Sequence, residues 1–66
     1  MTLKEARVSA GLTQEEVAKA LGVKRSAISM WETGKSFPKA KMLPLISAIY
    51  RKPISELIEM NTEVES

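Results

Sequence analysis

The chain has neither cysteine nor histidine among its 66 residues. Those two absences exclude disulfide staples, Cys/His zinc sites, thiol nucleophiles and imidazole general bases. A domain this short without a staple must draw its stability from packed helices. No apolar run approaches the roughly 18 residues needed to span a bilayer. The N-terminus lacks the basic-then-apolar pattern of a signal peptide. There are no internal repeats, no low-complexity tracts and no linker long enough to separate two domains. The expectation is one small cytoplasmic domain, 44% hydrophobic and 27% charged, an ordinary balance for a packed fold.

What is present is a segregation of charge that the net value of +2 conceals. Residues 1–18 carry Lys4 and Arg7 against Glu5, Glu15 and Glu16. Residues 19–52 carry Lys19, Lys24, Arg25, Lys35, Lys39, Lys41, Arg51 and Lys52 against Glu32 alone, a net +7. Residues 53–66 carry Glu56, Glu59, Glu63 and Glu65 and no cation, a net −4. A basic middle followed by an acidic tail suits a surface directed at a polyanion.

Helix signals are clear in the first half. Thr2 with Glu5, and Thr13 with Glu16, are two capping boxes. They predict helices over about 3–9 and 14–21, each followed by a glycine, Gly11 and Gly22, able to take the left-handed conformation. Leu3, Ala6, Arg7 and Ala10 share one face of the first helix. Val17, Ala18 and Leu21 form the apolar stripe of the second. A third helix is predicted over about 25–32, stopped by Gly34. At about 100° per residue, Ala27, Ile28 and Trp31 turn inward, while Arg25, Ser26, Ser29 and Met30 turn outward. Two short helices joined at Gly22, the second with a short, polar, basic outer face, form a layout that presses into a DNA major groove.

The second half is harder to place. Pro44 is tolerated in a first helical turn but not in an interior. The fourth helix therefore begins near Leu43, or residues 39–43 form a frayed first turn. Leu45, Ile46 and Ile49, with Met42 and Tyr50, are expected on its core side. A fifth helix is expected over about 54–60, with Leu57 and Ile58 closing the core and residues 61–66 as an acidic, frayed tail.

With these residues in view, the chain resembles the lambda-repressor-like, XRE-type helix-turn-helix family of phage and bacterial regulators. The resemblance covers about residues 1–60. It rests on Arg7, Gly11-Leu12-Thr13-Gln14-Glu15-Glu16-Val17-Ala18, Leu21-Gly22-Val23, Ile28-Ser29 and Trp31-Glu32-Thr33-Gly34-Lys35. It implies an all-α, five-helix DNA-binding domain whose helix-turn-helix is helices 2 and 3. The base-reading positions it implies are Arg25, Ser26, Ser29 and Met30. Arg25 can bond guanine O6 and N7 together, and Met30 can pack on a thymine methyl or simply fill a surface gap. The implied phosphate contacts are Gln14, Lys24, Lys35, Lys39 and Lys41, the lysines as a cluster rather than singly. Lys24 stands where the family usually has a Ser or Thr cap. Arg7 and Glu32 match a family pair that forms an internal salt bridge, which would supply the partner that Arg7 needs on an apolar face. Trp31 is expected in the core rather than as a platform for stacking bases.

The implied function is a sequence-specific regulator of transcription that binds double-stranded DNA, a Cro-like repressor acting on a palindromic operator. A weak homodimer through helix 5 and the 50–53 connection is implied. Arg51 and Pro53 depart there from the usual Gly or Asn and Ser or Thr. No cofactor, metal, small-molecule ligand or membrane partner is expected. An enzyme is not expected either, because no nucleophile–base constellation can be assembled. The rival reading is an antitoxin of the same fold whose DNA binding is autoregulatory, which co-purification of an unlike partner would favour.

Overall fold

The computed structural model describes residues 2–57. Within them lie α1 (Leu3–Ser9), α2 (Gln14–Leu21), α3 (Arg25–Glu32), a 3-10 turn (Ala40–Met42) and α4 (Leu43–Tyr50). Residues 54–57 are helical again, and no strand occurs among the described residues. The expected fifth helix is thus seen in its first turn. Ile58, Met60 and the 61–66 tail lie outside the described residues.

Local chemistry sets the first two helices. The Glu5 amide donates to Thr2 Oγ1 at 3.1 Å, and the Thr2 amide donates back to Glu5 Oε1 at 2.7 Å. Thr13 and Glu16 repeat this at 3.1 and 2.8 Å. Each box satisfies two amides that a helix start otherwise leaves open, a stabilisation of about 0.5–2 kcal/mol. Past Leu21, Gly22 takes the left-handed conformation (φ 71°, ψ 32°). That turn lets the Val23 amide reach back to the Ala18 carbonyl at 3.0 Å and the Gly22 amide to Lys19 at 3.3 Å. The chain then leaves α2 at an angle that lays α3 against it. No other pair of elements packs as extensively.

The core draws on every helix. Leu3 and Ala6 come from α1, Val17 and Ala18 from α2, Ile28 from α3, and Leu43, Ile46 and Tyr50 from α4. Leu57 closes it. Leu12, Leu21, Val23, Trp31, Phe37, Met42 and Ile49 pack around this centre, half-buried. Trp31 therefore lies against the core, as expected. Arg7 is the one charged residue that is buried among the described residues.

The fourth helix corrects one expectation. Leu45 is 52% exposed, and Leu43 takes the buried place expected of it. The cause is the start of the helix. A 3-10 turn over Ala40–Met42 delivers the chain, and the α-helix begins at Leu43 with Pro44 in its first turn, where the missing N–H does no harm. The row Leu43, Ile46, Tyr50 then faces inward, and Leu45 falls about 200° round from Leu43. At the other end Arg51 is left-handed (φ 58°, ψ 41°), the only described non-glycine residue with positive φ. It lets the Lys52 amide bond the Ser47 carbonyl at 3.2 Å, while Ser47 Oγ donates to the Lys52 carbonyl.

Candidate nucleic-acid interface

Helix α3 presents the four residues expected to read bases in the expected direction. Arg25, Ser26 and Met30 are exposed and Ser29 is half-buried. Ile28 on the opposite side is fully buried and anchors the helix. Lys24 precedes α3 in an extended conformation and makes no side-chain cap bond, as its chemistry requires. The first amides of α3 are therefore not closed off by a side chain at that position.

The end of α3 is tied to α1. Arg7 Nε donates to Glu32 Oε2 at 2.6 Å, and Arg7 Nη2 to Glu32 Oε1 at 3.3 Å. Arg7 Nη1 donates to the Leu12 carbonyl at 2.8 Å. The two side chains are only 10% and 4% exposed. The hydrogen bond to Glu32 raises the Arg7 pKa above its ordinary value, and burial opposes that. The pair is thus charge-assisted, forked and largely shielded from water. Next to it, Tyr50 is held protonated. Burial, with the Glu32 charge acting in the same direction, pushes its phenol up to about 12, and the Arg7 charge works against this.

A further bond joins this pair to the outer face. Gln14, half-buried in the first turn of α2, donates from Nε2 to Glu32 Oε1 at 2.9 Å. Its Oε1 accepts from Arg25 Nε at 3.3 Å. Neither bond is implied by the family resemblance, which gives Gln14 a phosphate contact. One Nε2 hydrogen is left for such a contact, since the amide carries two. The signal available in the sequence was weak. Gln14 and Arg25 each open a helix of the same helix-turn-helix, but only the packing angle decides whether they touch.

The assigned residues fall in two places. Gln14 and Arg25 line one hollow of about 410 Å³ together with Arg7, Thr13 and Glu15. Lys39 and Lys41 border a different groove, of about 590 Å³, whose walls include Leu21, Val23, Trp31, Phe37 and Met42. Lys35 is exposed after Gly34, where its amide bonds the Met30 carbonyl at 3.0 Å. Among the described residues no helix is long and apolar enough to cross a membrane.

Comparison with known proteins agrees with this geometry. The helix-turn-helix family model matches residues 3–57. The HTH-type transcriptional activator BcrR of Enterococcus faecalis is 43% identical over 56 residues, covering 85% of this chain and 28% of that protein. An uncharacterised HTH-type transcriptional regulator of Archaeoglobus fulgidus is 34% identical over 61 residues, 92% of this chain and 87% of that protein. The cryptic phage CTXphi transcriptional repressor RstR of Vibrio cholerae is 34% identical over 56 residues, 85% of this chain and 50% of that protein. The chain therefore spans about a quarter of the activator and half of the phage repressor. No solved structure gives a match. A capped, glycine-jointed α2–α3 pair, an outward polar face on α3 and a family match over nearly the whole described length agree, and the chain belongs to the XRE-type helix-turn-helix family, as do relatives named as transcription regulators.

Proposed function

We propose that α3 enters the major groove of duplex DNA and reads sequence there with Arg25, Ser26, Ser29 and Met30. The observation that carries this reading is the polar outer face of α3, set on a helix whose inner side is fixed by Ile28 and by the Arg7–Glu32 pair. Arg25 offers two donors to a guanine edge, and the two serines can bond several base edges. Gln14, Lys24, Lys35, Lys39 and Lys41 grip phosphates on either side. These lysines and Arg25 are exposed, as phosphate and base contacts must be.

The regulatory outcome proposed is repression, because a bound domain of this kind blocks a promoter simply by occupying it. The operator is proposed to be an inverted repeat, read by two copies with half-sites about one helical turn apart. Support for a dimer is the apolar surface left uncovered late in the chain, Leu45 at 52% and Ile54 at 38% exposure, flanking the left-handed Arg51 turn.

Selection of binding sites from random duplex DNA, followed by footprinting, tests the whole reading. The expected result is a recovered inverted repeat. With about 4–8 phosphate contacts per dimer, log affinity should fall against log salt with a slope of roughly −4 to −7. A flat salt response, tighter binding to single strands, or no enriched sequence would refute groove docking. An asymmetric half-site holding one chain would refute the dimer alone.

A further inference from the structure

Among the side chains that α3 turns outward, Met30 is chemically unlike the rest. Arg25, Ser26 and Ser29 are polar, while Met30 is an apolar thioether left 43% exposed. The sequence holds no cysteine, so its sulfur chemistry rests on four methionines. Two of them, Met30 and Met42, lie among the described residues. Met42 is half-buried in the wall of the groove that Trp31 and Phe37 also line. Met30 alone of the described sulfur side chains is exposed. A thioether must meet the oxidant to react, so Met30 is the described sulfur that a dissolved peroxide reaches first. The backbone here is held without help from the side chain. The Met30 carbonyl accepts from the Lys35 amide at 3.0 Å, the Ser36 amide at 3.3 Å and Thr33 Oγ1 at 3.3 Å. A chemical change at Sδ therefore alters the outer face and leaves the end of α3 in place.

We infer that Met30 is a redox modification site set within the reading face: hydrogen peroxide converts its thioether to a sulfoxide in protein not bound to DNA, and the product binds the operator more weakly. This rests on the groove-docking reading above. The lone pair of Sδ attacks one peroxide oxygen. The S–O bond forms as the O–O bond breaks, and the departing hydroxide takes up the proton of the transferred hydroxyl and leaves as water. Sulfur loses two electrons and the peroxide gains them. The sulfoxide is polar, and its oxygen accepts hydrogen bonds but donates none. A thymine methyl, which the thioether can pack against, offers that oxygen nothing. Docking then buries a polar atom without a partner, and affinity falls. Bound DNA in turn covers Met30, so occupancy of the operator protects the residue that holds it there.

The test treats the parent, Met30→Leu and Met42→Leu with hydrogen peroxide, locates the added oxygen by peptide mass spectrometry, and measures Kd for the selected duplex before and after. Circular dichroism follows the fold. In the parent, Met30 should react ahead of Met42, and Kd should rise about 5- to 150-fold. Met42→Leu should show the same rise. Met30→Leu, whatever its own starting affinity, should keep one Kd through the treatment. Methionine sulfoxide reductases, one for each epimer, with a dithiol that becomes a disulfide as the oxygen leaves in water, should restore the parent value. Excess duplex present during treatment should slow oxidation at Met30. If Met30 is oxidised with Kd unchanged or lower while duplex still shields it, the inference is wrong and groove docking stands. Earlier reaction of Met42, or an equal rise in Met30→Leu, places the sensitivity elsewhere and also overturns it. If duplex gives Met30 no protection, α3 does not carry it into the groove, and both readings fall.

Discussion

The region from α1 to α3 and the region from the 3-10 turn to residue 57 are held by different means. In the first, polar groups dictate direction. Two reciprocal capping boxes fix the starts of α1 and α2, and a forked ion pair fixes the end of α3. In the second, neither the 3-10 turn nor α4 has a side-chain cap bond, and α4 is held by burying Leu43, Ile46 and Tyr50. Apolar burial is strong but undirected, while a hydrogen bond fixes an angle. The orienting bonds are concentrated in the half that must present α3 at a set angle. The other half supplies the core against which it rests.

The comparison breaks hardest at Glu32. Glu32→Ala should cost about 3–5 kcal/mol, because it strands a buried guanidinium. Total stability in domains this size is about 3–10 kcal/mol, so much of the variant should be unfolded near room temperature. Arg7→Met with Glu32→Leu should recover most of the loss, since no unpaired charge remains. Thermal melts of the parent, the single and the double variant measure this, with Glu15→Ala as an exposed control. A Glu32→Ala melt within about one degree of Glu15→Ala would show that the polar bracing of α3 is not real.

Gly22 and Arg51 sharpen the contrast, because one backbone conformation occurs in both halves. No atom stands within 4 Å of where a Cβ on Gly22 would point, so Gly22→Ala meets backbone strain alone. It should cost about 1 kcal/mol, and Arg51→Gly should gain up to about 1 kcal/mol by releasing the same strain. Urea unfolding of both variants checks the opposite signs. A loss on Arg51→Gly would mean that the Arg51 side chain holds the turn itself.

A smaller effect is expected at alkaline pH, where the halves meet at Tyr50. Its phenol ionises in the unfolded chain near its ordinary value of about 10 and in the fold only near about 12. The folded state therefore keeps the proton longer, and this contribution to stability is complete below about pH 10 and lost as the pH rises through 12. Tyr50→Phe should flatten the fall in melting temperature over that window relative to the parent. Parallel curves would show that the phenol remains in water. The smallest change in folding stability belongs to Leu45→Gln, within about 0.5 kcal/mol because the side chain already faces solvent. Sedimentation equilibrium should nevertheless show weakened self-association if the late apolar surface is the dimer contact, and unchanged association would remove Leu45 from it.

How far the sequence could be read follows the same division. The bounds of α1 and α2 agree with the expected ones because Thr, Glu and Gly act locally, within one turn of the residues they cap, and those of α3 agree through its apolar spacing and Gly34. The Arg7–Glu32 pair was legible through the family resemblance, supported by the partner that an arginine on an apolar face demands. The Leu43/Leu45 exchange was not. Pro44 permitted two helix starts, and each start sets a different phase for all that follows. The Gln14 bridge was not legible either, because it depends on the angle between two helices rather than on the residues of one.

The burial of Glu32 also bears on how the protein would approach its target. Glu32 is the sole carboxylate in residues 19–52, and its side chain is turned inward onto Arg7. To a phosphate chain still several ångströms away, that stretch presents eight cations with no surface anion among them. An attractive field of this kind raises the rate of encounter rather than the lifetime of the complex, and added salt quenches it. The internal pair that sets the angle of α3 therefore also keeps the approach unobstructed, and its trace would appear in the association rate measured at low ionic strength.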